Sequence, residues 1–277
     1  MKSERNIPPL KGIKVLDLSR LLPGPLCSLF LADLGAEVIK IEDPILGDFS
    51  RKFPPIKDKN SWSYLLINRN KKVKYFNLKD DNDRKNFLEL TKDVDVLLEG
   101  FRPGVTKRLG VDYEAICKIN PKIVYCSLTA FGQTGPLKDK AAHDINILGL
   151  SGLLDQMKRK GEPPTWGNIQ WADTAGGGLH ACIGILAALF GSKIHGIGRY
   201  VDISMLDGLI SLSPFLFAGL QANGKLASRS QDFLSGAAPF YRVYETNDQK
   251  FMALGAIEKK FWIEFCKGIE REDLIEL

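Results

Sequence analysis

Histidine is scarce in this chain, with three among 277 residues. The five cysteines (27, 117, 126, 182, 266) form no CxxC pair and no metal-like spacing with histidine, so no metal site is expected. They read instead as reduced, mostly buried thiols of a cytoplasmic protein. The first residues, MKSERNIPPL, lack the apolar stretch of a signal peptide. The longest apolar run, near LHACIGILAALFG, is 13 residues and too short to cross a bilayer, so no membrane partner is expected. Internal repeats and low-complexity segments are absent. The formal charge is only +5, and the basic stretch NRNKKVK (68–74) has neither a nucleic-acid motif nor interleaved aromatics. Nucleic acid is not an expected partner.

What is present is a large apolar fraction, 44%, enough for a substantial core. IKVLDLS (13–19) reads as a buried strand, followed by a helix at PLCSLFLADLG (25–35) that Gly35 ends. Further strands are expected at EVIKIE (37–42), VKYFNLK (73–79), VDVLLEGF (94–101) and KIVYCSLTAFG (122–132), with helices near 82–92 and 112–119. Strands alternating with helices at this spacing predict an α/β fold with a Rossmann-like large domain and an open, largely parallel sheet. Beyond 135 the alternation breaks, and apolar helices are expected near 144–155 and 174–191. From about 225 the texture changes to a polar loop and then a hairpin in FYRVYETNDQKFMALGAI (240–257). Residues 1–224 are therefore assigned to the large domain and 225–277 to the beginning of a smaller α+β domain.

His143 and Asp144 stand together at the head of AAHDINILGLSGLL (141–154). Taken alone, Asp144 reads as a helix cap and His143 as a boundary residue. Further on, Asp173 precedes Thr174, Ala175 and the run Gly176-Gly177-Gly178. Three successive glycines cost a helix about 1 kcal/mol each relative to alanine. Such a run is tolerated where a backbone or ligand approaches closely. Free amides at a helix start also favour negative charge, so a carboxylate here sits beside an anion-stabilising end suited to acyl or enolate chemistry. GGGLHA (176–181) matches a degenerate dinucleotide fingerprint, with Asp202 downstream, but PPTWGNIQWADT before it does not read as the strand that motif needs.

The fragments LKGIKVLDLSRLLPGPLCSLFLADLGAEVIKIEDP, LLEGFRPGVTKRLG, FGQTGP, HDINILGLSG, ADTAGGG and YVDISMLDG are long and collinear. Together they resemble the class III CoA-transferase (CaiB/BaiF) family, which includes the α-methylacyl-CoA racemases, from about residue 10 to the end. The resemblance implies a Rossmann-like large domain, a small domain and an interlocked homodimer. Family members continue past the point where this sequence stops, so a fragment is expected. Asp173 matches the aspartate that transferases use to form a mixed anhydride and then a CoA thioester. Racemases keep that aspartate for proton transfer, and they also have the His-Asp pair of HDIN and a glutamate in GAIE, here Glu258. Transferases carry a mobile glycine-rich loop where this chain has LSGAAPFY (234–241). The resemblance therefore favours the racemase branch, with a CoA-transferase as the alternative.

On that reading His143 and Asp173 are the two acid/base groups, Glu258 is the partner of the imidazole, and Asp144 lies toward Asp173 or caps its own helix. Amides near Asp173 and Gly176 would stabilise the enolate oxygen. The CoA moiety of the substrate is the sole cofactor implied. By family motif its binding residues are Asn77, Leu78 and Lys79; Gly100, Phe101 and Arg102; Arg108; and Lys140, Ala141 and Ala142. One departure stands out. After VIKIE the family often has an arginine at the nucleotide end of CoA, and this chain has Asp43. Either Lys40, Arg51 or a nearby lysine substitutes, or nucleotide binding is weaker. The acyl group stays open among branched fatty acyl, sterol-like and aryl-propionyl thioesters.

Overall fold

Three segments, β1 (Lys14–Asp17), β4 (Val96–Glu99) and β5 (Val124–Thr129), carry apolar residues with little polar alternation. Almost all their residues are buried, as expected of strands covered on both faces. The computed structural model, which describes residues 7–157, 161–226 and 230–276, joins them to β2 (Glu37–Glu42), β3 (Lys71–Tyr75) and β6 (Arg199–Ser204) in one sheet. The order is β3-β2-β1-β4-β5-β6 and every pairing is parallel. This is the doubly wound Rossmann order, and the order reverses between β1 and β4. The sixth strand corrects the expectation that alternation ends near 135. Its residues, RYVDIS, lie at the sheet edge and are only partly covered, which weakens the apolar signal of a buried strand.

Helix α1 (Pro23–Asp33) connects β1 to β2, α2 (Asp81–Leu90) connects β3 to β4, and α3 (Val105–Leu109) and α4 (Tyr113–Ile119) connect β4 to β5, while a short helix over Trp62–Ile67 lies between β2 and β3. Proline at the first position of α1 costs no hydrogen bond, because that N–H has no helical acceptor. At α2 the Asp80 side chain accepts from the Asn82 and Asp83 amides. Leu16, Leu97, Ile123 and Tyr125 of the sheet pack with Phe87 of α2 and Ile116 of α4 in one apolar cluster.

After β5 come α5 (Asp144–Leu150) and the long helix α6, a π-helical stretch Ala172–Leu179 that runs into the α-helix His180–His195. Their successor is α7 (Met205–Ser211). The expected helix over 144–155 is broken after Ser151, where Gly152 adopts φ 78. Because 172–179 joins 180–195, α6 reaches 24 residues, and its length and composition would suffice to cross a membrane. That corrects the 13-residue estimate. Half of its apolar window is buried within the protein, where it packs on β5, β6 and α1 as a core helix does.

Two compact units result: residues 1–151 with 168–212, and residues 152–167 with 213–277. The break falls at Leu212–Ser213, ahead of the expected 224–225. Ser213 leaves helical geometry and Pro214 starts a new helix, α8 (Pro214–Asn223), which belongs to the second unit. The predicted hairpin is there as β7 (Tyr241–Glu245) antiparallel to β8 (Phe251–Gly255), followed by α9 (Lys259–Gly268). Ala256, Trp262 and Cys266 form its small core.

Candidate active site

In a doubly wound sheet, ligands bind beyond the carboxyl ends of the strands, near the point where strand order reverses. Two adjoining cavities occupy that position in the first unit. One, of about 360 Å³, is lined by Ser19–Leu21 after β1, by Gly100, Phe101 and Arg102 after β4, and by Lys140, Ala141, Ala142, His143 and Asp173. The other, of about 410 Å³, is lined by Asp43 after β2, by Asn77, Leu78 and Lys79 after β3, and by Arg108 of α3. Arg20 and Phe101 line both, with the guanidinium carbon 5.6 Å from the ring centroid. All ten predicted binding residues thus fall on one or other wall.

The sequence pair His143-Asp144 is divided between two tasks. His143 is the N-cap residue of α5, its own N–H donating to the Asn146 side-chain oxygen at 2.9 Å. Asp144, in the first turn of α5, does not cap its own helix as its position suggested. Its Oδ1 accepts from the Ala172 N–H at 2.7 Å and the Asp173 N–H at 3.0 Å, so it caps the start of α6 instead. Successive helical residues point in different directions, which sends one side chain to the cavity and the other to a neighbouring helix. Burial pushes the Asp173 carboxyl up to about 7, and the nearby Asp144 charge pushes it the same way.

Of the uses expected of the glycines, close approach of another backbone is the one seen, and free amides at a helix end are not. The Asp173 amide donates to Asp144, and Gly176 lies inside α6 rather than at its free end. A Cβ on Gly176 would stand 2.5 Å from the Met205 carbonyl oxygen, and one on Gly208 of α7 only 2.1 Å from that of Gly176. A Cβ on Gly178 would lie 3.0 Å from the Pro23 carbonyl oxygen. The run therefore lets α6 close on α7 and α1, which fixes the helix that carries Asp173. The same packing rules out the dinucleotide role, since these residues neither follow a strand nor form a turn. His180 is also structural: Nδ1 lies 2.7 Å from the Ala175 carbonyl oxygen and Nε2 lies 3.0 Å from Ser211 Oγ.

Neither named substitute for the missing nucleotide arginine is free. Lys40 is wholly buried, donating to the Ser19 carbonyl at 2.9 Å and paired with Asp48 at 2.9 Å. Asp48 in turn accepts from the Leu21 amide at 3.2 Å, where Leu21 holds a left-handed φ of 66. The buried ion pair thus clamps the backbone on both sides of Arg20, in a conformation that is uncommon outside glycine. Arg51 is engaged by Glu42 through two hydrogen bonds, at 2.8 and 3.0 Å, and lies over the Tyr64 ring. Asp43 accepts from the Ile45 and Leu46 amides at 2.9 Å, and those bonds hold its carboxyl below the usual range. Lys79 and Arg20 are the cations beside it. Arg20 was missed in the sequence, although a charged residue directly after a buried strand in LSRLLPGP marks such a position.

Glu258 belongs to the second unit, exposed at the N-cap of α9. The five cysteines are free thiols, four of them buried. No group of three metal-capable side chains occurs among the described residues.

The model of CoA-transferase family III matches residues 10–277, and the chain belongs to that family. It is 40% identical to the alpha-methylacyl-CoA racemase of Homo sapiens over 261 residues, covering 94% of this chain and 64% of that protein. It is 39% identical to an acetyl-CoA:oxalate CoA-transferase of Acetobacter aceti, over 88% of this chain and 62% of that one. A CaiB/BaiF family protein from Brucella suis superposes with a TM-score of 0.84 at 28% identity, covering 97% of this chain and 71% of its own. The chain therefore spans somewhat under two thirds of the length of these two curated relatives.

Proposed function

We propose that the protein is an isomerase of the α-methylacyl-CoA racemase type, inverting the α-carbon of 2-methylacyl-CoA thioesters by two-base proton transfer. The observation that carries this reading is that His143 and Asp173 line one cavity, with the Asp173 carboxyl pushed up to about 7. A thioester carbonyl acidifies the adjacent C–H. One group takes the α-proton as the electron pair moves into the carbonyl, giving an enolate, and the other returns a proton to the opposite face. The roles exchange for the opposite enantiomer. An acid titrating near neutrality both accepts and releases a proton at working pH. A transferase nucleophile would be served better by a carboxyl that stays ionised, and on that ground the CoA-transferase reading is second.

The cavities around Arg20 and Phe101 are assigned to CoA, with Arg102, Arg108, Lys79 and Lys140 as its cationic surroundings; no other cofactor is invoked. Glu258 is assigned as partner to the imidazole on the family resemblance alone. Two copies are taken to interlock, and exposed apolar residues such as Ile183, Phe190 and Ile194 on α6 support a covering partner. Free thiols throughout support a cytoplasmic setting, and a role in lipid metabolism is assigned from the acyl-CoA reading alone.

Incubating one enantiomer of a 2-methylacyl-CoA in deuterated water tests the reading. Inversion with uptake of one deuterium is expected, and its loss in His143→Ala and in Asp173→Asn. If neither exchange nor inversion occurs and hydroxylamine instead releases CoA from Asp173, the transferase reading replaces it.

A further inference from the structure

Glu99 is the last residue of β4 and only 2% exposed. Its Oε2 accepts from the Phe101 N–H at 2.7 Å, and its Oε1 accepts from the Ser127 hydroxyl of β5. Ser127 Oγ in turn accepts from the Tyr200 hydroxyl of β6 at 3.0 Å. A hydrogen-bonded chain therefore crosses three strands and ends on the backbone of the loop that lines both cavities. Proton transfer at the α-carbon makes no use of this carboxyl, and a buried ionisable group at the mouth of a site calls for a role.

We propose that Glu99 is a positioning residue for the CoA-binding loop: its carboxylate holds the Phe101 amide, and with it the Gly100–Arg102 turn under Arg20, in the conformation that binds CoA. This rests on the reading that these cavities take CoA. A charged acceptor grips an amide about twice as strongly as a neutral one, so protonation of Glu99 loosens the loop without touching the reacting carbon. The added proton sits on Oε1 and donates to Ser127 Oγ. The Ser127 hydrogen then turns to the Tyr200 oxygen, and the chain reverses direction with no bond left unfilled. Tyr200 is 40% exposed on the edge strand, which connects the chain to solvent.

The surroundings make the switch accessible. Burial pushes Glu99 up to about 7, the Ser127 and Phe101 bonds pull it down, and the Asp202 charge pushes it up. The other titratable groups that interact with it are Tyr125 and Cys126 on β5 and Tyr200 on β6, none of them cationic.

The test is calorimetric binding of dephospho-CoA to the whole chain between pH 5.5 and 8.5. That ligand lacks the phosphate monoester whose own ionisation falls at about pH 6. The dissociation constant is expected to fall about tenfold as pH rises through 7. Glu99→Gln should bind about tenfold more weakly at pH 8, with that dependence gone although Asp173 still titrates. Ser127→Ala, which takes away only a hydroxyl, removes a donor to the ionised form and should move the inflection to higher pH. If wild type binds but all three proteins share one pH profile, the proposal is overturned while the CoA site stands. Absence of binding to CoA and dephospho-CoA alike overturns the CoA reading, and this inference with it.

Discussion

Asp144 shows how one side chain serves both the frame and the chemistry. Its oxygen satisfies two amides at the start of α6, and its charge lies close enough to raise the Asp173 carboxyl. Asp144→Asn retains an acceptor oxygen but removes the charge. The pH–rate inflection assigned to Asp173 should then move to lower pH by roughly one unit, which steady-state rates across pH 5–9 would reveal. An unmoved inflection would mean that the two carboxylates do not interact. Arg20, held between Ser19 and Leu21 by the Lys40–Asp48 pair, is expected to meet the CoA phosphates. Arg20→Ala should raise KM for the thioester about tenfold, consistent with loss of a charge-assisted bond, and leave kcat within about twofold.

At the scale of elements, packing explains more than propensity does. The contact between α6 and α7 depends on two glycines. Gly208→Ala places a methyl 2.1 Å from a backbone oxygen that has no room to retreat, and should cost about 1–3 kcal/mol. Gly191 lies in α6 with nothing within 4 Å of its would-be Cβ. Gly191→Ala should gain about 0.5–1 kcal/mol, so urea midpoints of the two variants should move in opposite directions. The buried strands β1, β4 and β5 were legible because their apolar runs reflect coverage on both faces. RYVDIS was not, because an edge strand hides its pairing in a mixed sequence. The residues named by family motif, including Gly100–Arg102 and Lys140–Ala142, line two adjoining cavities beyond the strand ends. The role of the glycine run was not legible, since a sequence records that close approach is needed and not whether the neighbour is a ligand or a helix. The fate of Lys40 and Arg51 was likewise hidden, because burial and pairing are properties of the folded molecule.

For the whole molecule, the buried carboxyls set how stability depends on pH. Asp17, Glu42 and Asp48 are pushed up by burial, but this is outweighed, for Asp17 by Lys40, Lys71 and two serine hydroxyls, for Glu42 by Arg51 and Tyr64, and for Asp48 by Lys40 and Ser50. Their folded values lie below their unfolded ones, so the stability they supply is present above about pH 4 and is lost as pH falls further. Asp173 and Glu99 have the opposite sign. Each is raised to about 7, so between about pH 4 and 7 the folded state binds more protons than the unfolded state, and stability falls as pH rises through that window. The loss is on the order of 3–4 kcal/mol for each. Lys71, pushed down by burial to about 8, gives an upward slope only above that pH. The urea midpoint should therefore peak near pH 4 and decline toward pH 7, instead of holding flat from pH 5 to neutrality. In an Asp173→Asn, Glu99→Gln double variant the two groups that drive the decline are gone, and the midpoint should stay level from pH 5 to 8. A double variant that kept the wild-type slope would place the titrating groups elsewhere in the fold.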